Sequence, residues 1–115
     1  MVNSRRKGKR AELELAAKLR EIFGVEARRG QQFSGANGDA DVVGIPGVHI
    51  EAKMVERLNL MEAFDQSERD AKKTGEIPVV IHRRSRKPWF ITLRLEDLPE
   101  LAEIIDGILV KENDG

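Results

Sequence analysis

The 115-residue chain contains no cysteine, and its 20 Lys and Arg residues are balanced by 20 Asp and Glu residues. This length predicts one domain with a single modest core, and the lack of cysteine excludes disulfides and thiolate metal sites, so any metal must be bound by oxygen ligands or by the two histidines. No apolar run is as long as a membrane span and no N-terminal segment is typical of a signal peptide, so we expect a soluble, intracellular (cytoplasmic) protein.

The charged residues are distributed unevenly along the chain. Residues 1–10 carry five cations and no acid, whereas the segment from Glu96 to the C-terminus carries seven acids and one base. A basic face is typical of proteins that bind nucleic-acid phosphates, although short charge runs are also common on solvated surfaces. We predict DNA-backbone contacts by three clusters of cations: Arg5, Arg6, Lys7, Lys9 and Arg10; Arg28 and Arg29; and Arg83, Arg84, Arg86 and Lys87.

In chain order, the first predicted element is an amphipathic helix at about residues 6–23, which Gly24 ends. The apolar stripe of this helix contains Leu15, Leu19 and Ile22. The segment 28–37 that follows is rich in Gly, Gln, Ser and Asn, and we predict that it is mostly loop.

Two pairs of strands and two further helices follow. The strands are predicted at residues 41–45, 48–54, 78–83 and 89–95. Asn59 and Glu62 form a capping-box pattern that opens a helix to about Lys73, and the C-terminal helix is predicted at about residues 97–111. This order predicts an α/β fold with a central mixed β-sheet flanked by helices.

The two strands 41–45 and 48–54 carry charges within otherwise apolar sequence. Strand alternation places Glu51 and Lys53 on one face, and the turn decides whether Asp41 joins them. A two-residue turn would place Asp41 opposite Ala52 and facing away. A three-residue turn, Ile45 to Gly47, or a bulge would place it opposite Glu51, and the charge pattern favours this second register.

A third carboxylate is expected near this pair. Glu12 continues the buried stripe of the first helix, and a carboxylate in that position requires a cation. Asp41 and Glu51 are candidates for direct coordination of Mg²⁺ or Mn²⁺, with Glu12 binding directly or through water. The alternative is a plain cross-strand ion pair. We expect His49 and His82 to be packed or solvated, as lone histidines on strands usually are.

The order of these residues resembles a known nuclease motif. Asp41 followed by Glu51-Ala52-Lys53 is similar to the D...(D/E)-X-K signature of the PD-(D/E)XK nuclease superfamily, although Ala40 stands where that signature has Pro. The segment "RRKGKRAELEL" resembles the opening of archaeal-type Holliday junction resolvases and their phage relatives. The resemblance continues through Arg28 or Arg29, Ser34-Gly35 and Gln66.

This resemblance implies a restriction-endonuclease-like core and a role for each matched residue. Asp41 and Glu51 would bind Mg²⁺, with Mn²⁺ able to substitute, and Glu12 would support the site. Lys53 would activate the attacking water or stabilise charge on the phosphate. Further site residues implied by the resemblance are Gln66, which would orient Lys53 or the water, and Ser34, which would reach a phosphate near the scissile bond.

The expected function is that of a metal-dependent, structure-selective DNA endonuclease, specifically a Holliday junction resolvase in DNA recombination and repair. We expect residues 1–115 to form a single nuclease domain with a basic N-terminal arm at residues 1–10. A homodimer would supply paired nicks in strands of like polarity, through either the C-terminal helix or the strand that carries Trp89. The alternatives are a nuclease of the same superfamily that cuts flaps, nicks or duplex ends, and a DNA-binding module that no longer cleaves.

Overall fold

The computed structural model describes the backbone of residues 4–30 and 40–114, and the side chains of residues 8–30 and 40–111. This part of the chain contains three α-helices and five β-strands. In order, they are α1 (Ser4–Phe23), β1 (Arg28–Arg29), β2 (Val42–Val43), β3 (Val48–Met54), α2 (Leu60–Lys72), β4 (Ile77–Arg83), β5 (Phe90–Thr92), a short 3₁₀ turn (Leu95–Asp97) and α3 (Leu98–Asp114).

The five strands form one sheet in the order β1-β2-β3-β4-β5. β3 and β4 are parallel, with α2 as the crossover between them, and the other neighbours are antiparallel. The predicted α/β fold with a central mixed sheet is therefore confirmed.

Helices α1 and α3 pack on one face of the sheet, and α2 packs on the other. On one face, Leu15 of α1 and Leu101 of α3 belong to the same buried cluster as Ile50 of β3. On the other face, Phe64 of α2 packs against Val80 of β4. Because side chains alternate along β3, its residues 49, 51 and 53 lie on the face that α2 covers.

Two helix boundaries follow the sequence signals closely. The Asn59 side chain accepts a hydrogen bond from the Glu62 backbone N–H at 3.1 Å and donates to the Glu62 carboxylate at 3.2 Å, which is the predicted capping box. Gly24 adopts a φ of 70°, and its N–H donates to the Arg20 carbonyl to close α1.

The structure corrects four details of the sequence interpretation. α1 begins at Ser4, so residues 4–10 of the predicted basic arm are helical. The buried stripe of α1 continues from Leu19 to Phe23, four residues on, and this turns Ile22 to solvent. The other two corrections shorten predicted strands: 41–45 becomes Val42–Val43, and 89–95 becomes Phe90–Thr92.

Each shortened strand has a local cause. Gly44 follows β2 with a φ of 137° and lies so close to Ala27 that a Cβ atom at this position would be 2.6 Å from the Ala27 Cα. After β5, the Arg94 side chain donates a hydrogen bond to the Asp97 carboxylate at 2.8 Å, and the 3₁₀ turn begins there.

Within the described ranges, no helix has the length and apolarity needed to cross a bilayer.

Candidate metal and DNA site

The turn between β2 and β3 sets the register of the two strands that carry charge. Val42 pairs with Ile50, and the N–H of the preceding Asp41 donates to the Ile50 carbonyl at 2.9 Å, so Asp41 lies beside residues 50–52 of β3. The turn comprises residues 45–47, and the Val48 N–H closes it on the Ile45 carbonyl at 3.2 Å. The predicted three-residue turn is therefore confirmed. Glu51 and Lys53 share one face of the sheet, and the Asp41 carboxyl group interacts with Glu51.

The carboxyl groups of Asp41 and Glu51 are in hydrogen-bond contact. Glu51 is only 4% exposed, and the Asp41 carboxylate also accepts the Ala52 backbone N–H at 2.9 Å. The pKa of Glu51 is raised to about 8. Burial is the largest cause and the negative charge of Asp41 is the second, while the Lys53 ammonium opposes the rise. Two carboxyl groups in contact are difficult to ionise at the same time. The charge of a bound divalent cation would favour the ionised form of both, so the pair fits a hard cation.

Glu12 borders this pair without joining it directly. Its carboxylate accepts a hydrogen bond from Arg29 Nε at 2.8 Å, and the charges of Asp41 and Lys53 both affect its pKa. Burial raises the pKa of Glu12, and the Arg29 hydrogen bond partly offsets that rise. Among the described residues, Glu12 is not part of any group of three ligand atoms that all lie within 4.8 Å of one another. This placement fits a supporting role through Arg29 or through water.

Lys53 lies at the end of β3, half-buried and beside the carboxylate pair. It is paired in register with His82 of β4, and its positive charge limits the rise in the pKa of Glu51. His82 bonds Thr92 at 2.9 Å on the neighbouring strand. The site therefore brings two carboxylates and one ammonium close together.

The other implied site residues have different positions. Gln66 is exposed on α2, where its neighbour Ser67 is buried and donates to the Val79 carbonyl at 3.1 Å. Gln66 lies one helical turn before Asp70, so both project from the same side of α2. Ser34 is outside the described residues. The roles of Gln66 and Ser34 remain predictions.

The predicted DNA-binding cations are spread over two regions. Arg5, Arg6 and Lys7 lie within α1, and the side chains of Lys9, Arg10 and Arg28 are exposed. Arg10 bonds Glu14 at 3.0 Å, and Arg29 is held by Glu12. Arg83 lies 3.6 Å from Glu14 and 5.7 Å from the centre of the Trp89 ring. Thus some of these cations already have protein partners, while others face solvent.

The turn between β4 and β5, residues 84–88, carries three exposed cations: Arg84, Arg86 and Lys87. It lies at the same end of the sheet as Lys53, because β3 and β4 run parallel and end together at Met54 and Arg83. The Glu56 carboxylate accepts hydrogen bonds from the backbone N–H, at 3.2 Å, and the hydroxyl of Ser85. These bonds tie the turn to the segment after β3.

An open cavity of about 340 Å³ lies beside this turn. Arg57, Arg84 and Lys87 contribute to its basic lining, and Leu58 and Phe90 contribute to its apolar lining. Cationic and aromatic side chains together are typical of surfaces that bind nucleic acid.

Two residues lie close to Glu51 on the α2 side: Asp70, which was not among the predicted site residues, and His49, which was expected to be only packed or solvated. A ring nitrogen of His49 and one carboxylate oxygen each of Glu51 and Asp70 all lie within 4.8 Å of one another. Strand alternation already placed His49 on the same face as Glu51. No sequence signal identified Asp70, because its approach depends on how α2 packs over β3.

Comparisons with known proteins identify the family and the fold of the chain. The model of a family described as phage putative PDDEXK endonuclease matches residues 3–111. The fold is similar to that of Hjc, a Holliday junction resolvase from the archaeal hyperthermophile Archaeoglobus fulgidus, with a TM-score of 0.55 and 23% sequence identity over 76% of this chain and 72% of that chain. This similarity confirms the restriction-endonuclease-like fold, while no curated protein matches the chain. Since the family model spans nearly all of its residues, the chain belongs to the phage PDDEXK endonuclease family.

Proposed function

We propose that this chain is a metal-dependent DNA endonuclease that cuts branched DNA, with the four-way junction as its main substrate and residues 1–115 as one nuclease domain. The observation that carries the proposal is the interaction of the Asp41 and Glu51 carboxyl groups, with the positive charge of Lys53 beside them. Membership of a PDDEXK endonuclease family supports cleavage of DNA. The fold of an archaeal junction resolvase supports the choice of branched DNA.

The proposed chemistry is hydrolysis of a phosphodiester bond. Asp41 and Glu51 would hold a divalent cation, Mg²⁺ or Mn²⁺, which would supply positive charge to the phosphate and increase the acidity of water. Lys53 would hold a second positive charge beside the phosphate or the attacking water. Glu12 would keep Arg29 beside the site, and the exposed cations would position the DNA backbone.

We also propose that the protein acts as a homodimer, because two symmetric sites would make paired nicks. β5 is an edge strand, and Phe90 and Ile91 expose their side chains on it. Leu95 is 82% exposed, and Leu98 at the start of α3 is also exposed. Exposed apolar side chains at and beside a sheet edge support this region as the contact between two copies.

The direct test compares labelled four-way junctions, flaps, nicked duplexes and linear duplexes of matched length and sequence. With Mg²⁺ present, we expect paired nicks in the junction and slower cleavage of the other substrates, and EDTA should stop all cleavage. Preference for flaps, nicks or ends would keep the nuclease assignment and reject the junction. Junction binding without cleavage under Mg²⁺ or Mn²⁺ would instead indicate a non-catalytic binding module.

We expect the cations of the turn at residues 84–88 to contact DNA phosphates. Replacing Arg84, Arg86 and Lys87 by alanine should weaken binding to all DNA sequences. It should also reduce the slope of log affinity against log salt by roughly 0.9 per lost contact. Fluorescence anisotropy at several salt concentrations measures both changes.

The matched control for this experiment replaces Lys72 and Lys111, two exposed cations outside the turn. The control variant should keep the wild-type slope. An unchanged slope in the turn variant would show that its cations are solvated surface. The same assay applies to Arg5, Arg6 and Lys7 in α1.

A further inference from the structure

Beneath α2, His49 is fully buried and incompletely satisfied. Its side chain is 1% exposed, and its Nε2 atom has no hydrogen-bond partner among the described residues. Leaving a buried polar atom unpaired costs about 1–3 kcal/mol, so such atoms usually have a ligand or another role. The other ring nitrogen, Nδ1, lies 3.7 Å from the Glu76 carboxylate.

The surroundings of His49 supply two further ligand atoms. A nitrogen of its ring, an oxygen of Glu51 and an oxygen of Asp70 lie within 4.8 Å of one another. Three atoms that bind one ion at roughly 2.0–2.2 Å lie about 2.8–3.8 Å from one another, so the three side chains would move closer together on binding. Asp70 is partly exposed and within 3.8 Å of Lys73 on the surface, which leaves a route from solvent.

From this geometry we propose that His49, Glu51 and Asp70 form a second divalent-cation site, with Glu51 shared between it and the pair with Asp41. One imidazole and two carboxylates favour Mn²⁺, Co²⁺ or Zn²⁺ over Mg²⁺, which prefers oxygen ligands alone. The Glu76 carboxylate, 3.7 Å from Nδ1, would favour the tautomer with its proton on Nδ1, and this tautomer leaves the Nε2 lone pair available to an ion.

The main competing explanation is that His49 is a buried imidazolium that neutralises the carboxylates around it. The groups that face it are Glu51 on β3, Asp70 on α2 and Glu76 before β4. An imidazolium has no lone pair for a metal. Direct detection of nitrogen bound to the ion therefore separates the two explanations.

The test uses the full chain without an affinity tag, without DNA, and with Mn²⁺ as the probe. Pulsed electron paramagnetic resonance should detect nitrogen coupling to bound Mn²⁺ in the wild-type protein, since the pair Asp41 and Glu51 offers only oxygen. The coupling should be absent in His49→Gln. Calorimetry should detect one more Mn²⁺ per chain in the wild type than in this variant.

Asp70→Asn provides a second variant that does not change the buried histidine. It should weaken binding of the additional ion by at least about tenfold, whereas Asp65→Asn on the exposed side of the same helix should not. Absence of nitrogen coupling at saturating Mn²⁺, or equal Mn²⁺ binding by the wild type and Asp70→Asn, would overturn the proposal. Because no DNA is present, these results are independent of whether the chain cleaves DNA.

Discussion

Replacing Glu51 with glutamine is expected to abolish metal-dependent DNA cleavage and to leave DNA binding nearly intact. The substitution keeps the size of the side chain but removes the negative charge beside Asp41. Loss of a residue that only supports a metal ligand already costs about 10- to 100-fold, so loss of a direct ligand should reduce the cleavage rate by at least about 100-fold. Single-turnover cleavage and anisotropy on the same DNA measure the two quantities.

Asp41→Asn should have the same effect on cleavage, because its amide oxygen can still accept the Ala52 N–H while the charge is lost. The matched control is Glu103→Gln, which removes an equivalent charge from the exposed surface of α3. Metal-dependent cleavage at the wild-type rate by Glu51→Gln or Asp41→Asn would remove that residue from the site. A parallel loss of DNA binding would indicate a folding defect instead.

In the absence of metal, the protein should lose stability as the pH rises from about 4.5 to about 8. Glu51 has an ordinary pKa of 4.5 when unfolded, and burial raises its pKa to about 8 in the folded protein. The folded state therefore holds a proton that the unfolded state releases across this interval, and the free energy of unfolding falls by on the order of 2–4 kcal/mol. Below about pH 4.5 both states are protonated, and this penalty is absent.

Urea unfolding in EDTA at several pH values measures this effect. Glu51→Gln should remove most of the pH dependence, and it should be more stable than the wild type at pH 8 but similar near pH 4.5. Divalent cation at pH 8 should restore stability to the wild type alone, since ion binding stabilises the folded state. Parallel stability curves for the two proteins would contradict the assigned shift.

The geometry of the hairpin was predictable because it depends on local rules. Strand alternation fixed the side of Glu51 and Lys53, and only a turn with an odd number of residues, or a bulge, gathered all charges on one face. The start of α2 was likewise predictable, since Asn59 and Glu62 form a local hydrogen-bond motif. These features involve residues that are close in sequence.

The parts that sequence reasoning missed depend on packing between distant elements. His49 and Asp70 meet because α2 crosses over β3, and no periodicity within either element indicates their separation. Ile22 matched the apolar spacing of α1, yet the sheet is covered by Phe23 instead. Periodicity identifies which residues are able to be buried, while the partner surface decides which of them are.

The three-residue turn between β2 and β3 also limits which insertions and deletions this hairpin can accept. One residue added to or removed from residues 45–47 would move Asp41 to the opposite face, unless a bulge compensated. Two residues added together would preserve the face. Insertions and deletions between Asp41 and Glu51 should therefore be tolerated in pairs. The parity of this spacing, more than its length, should distinguish functional variants from inactive ones.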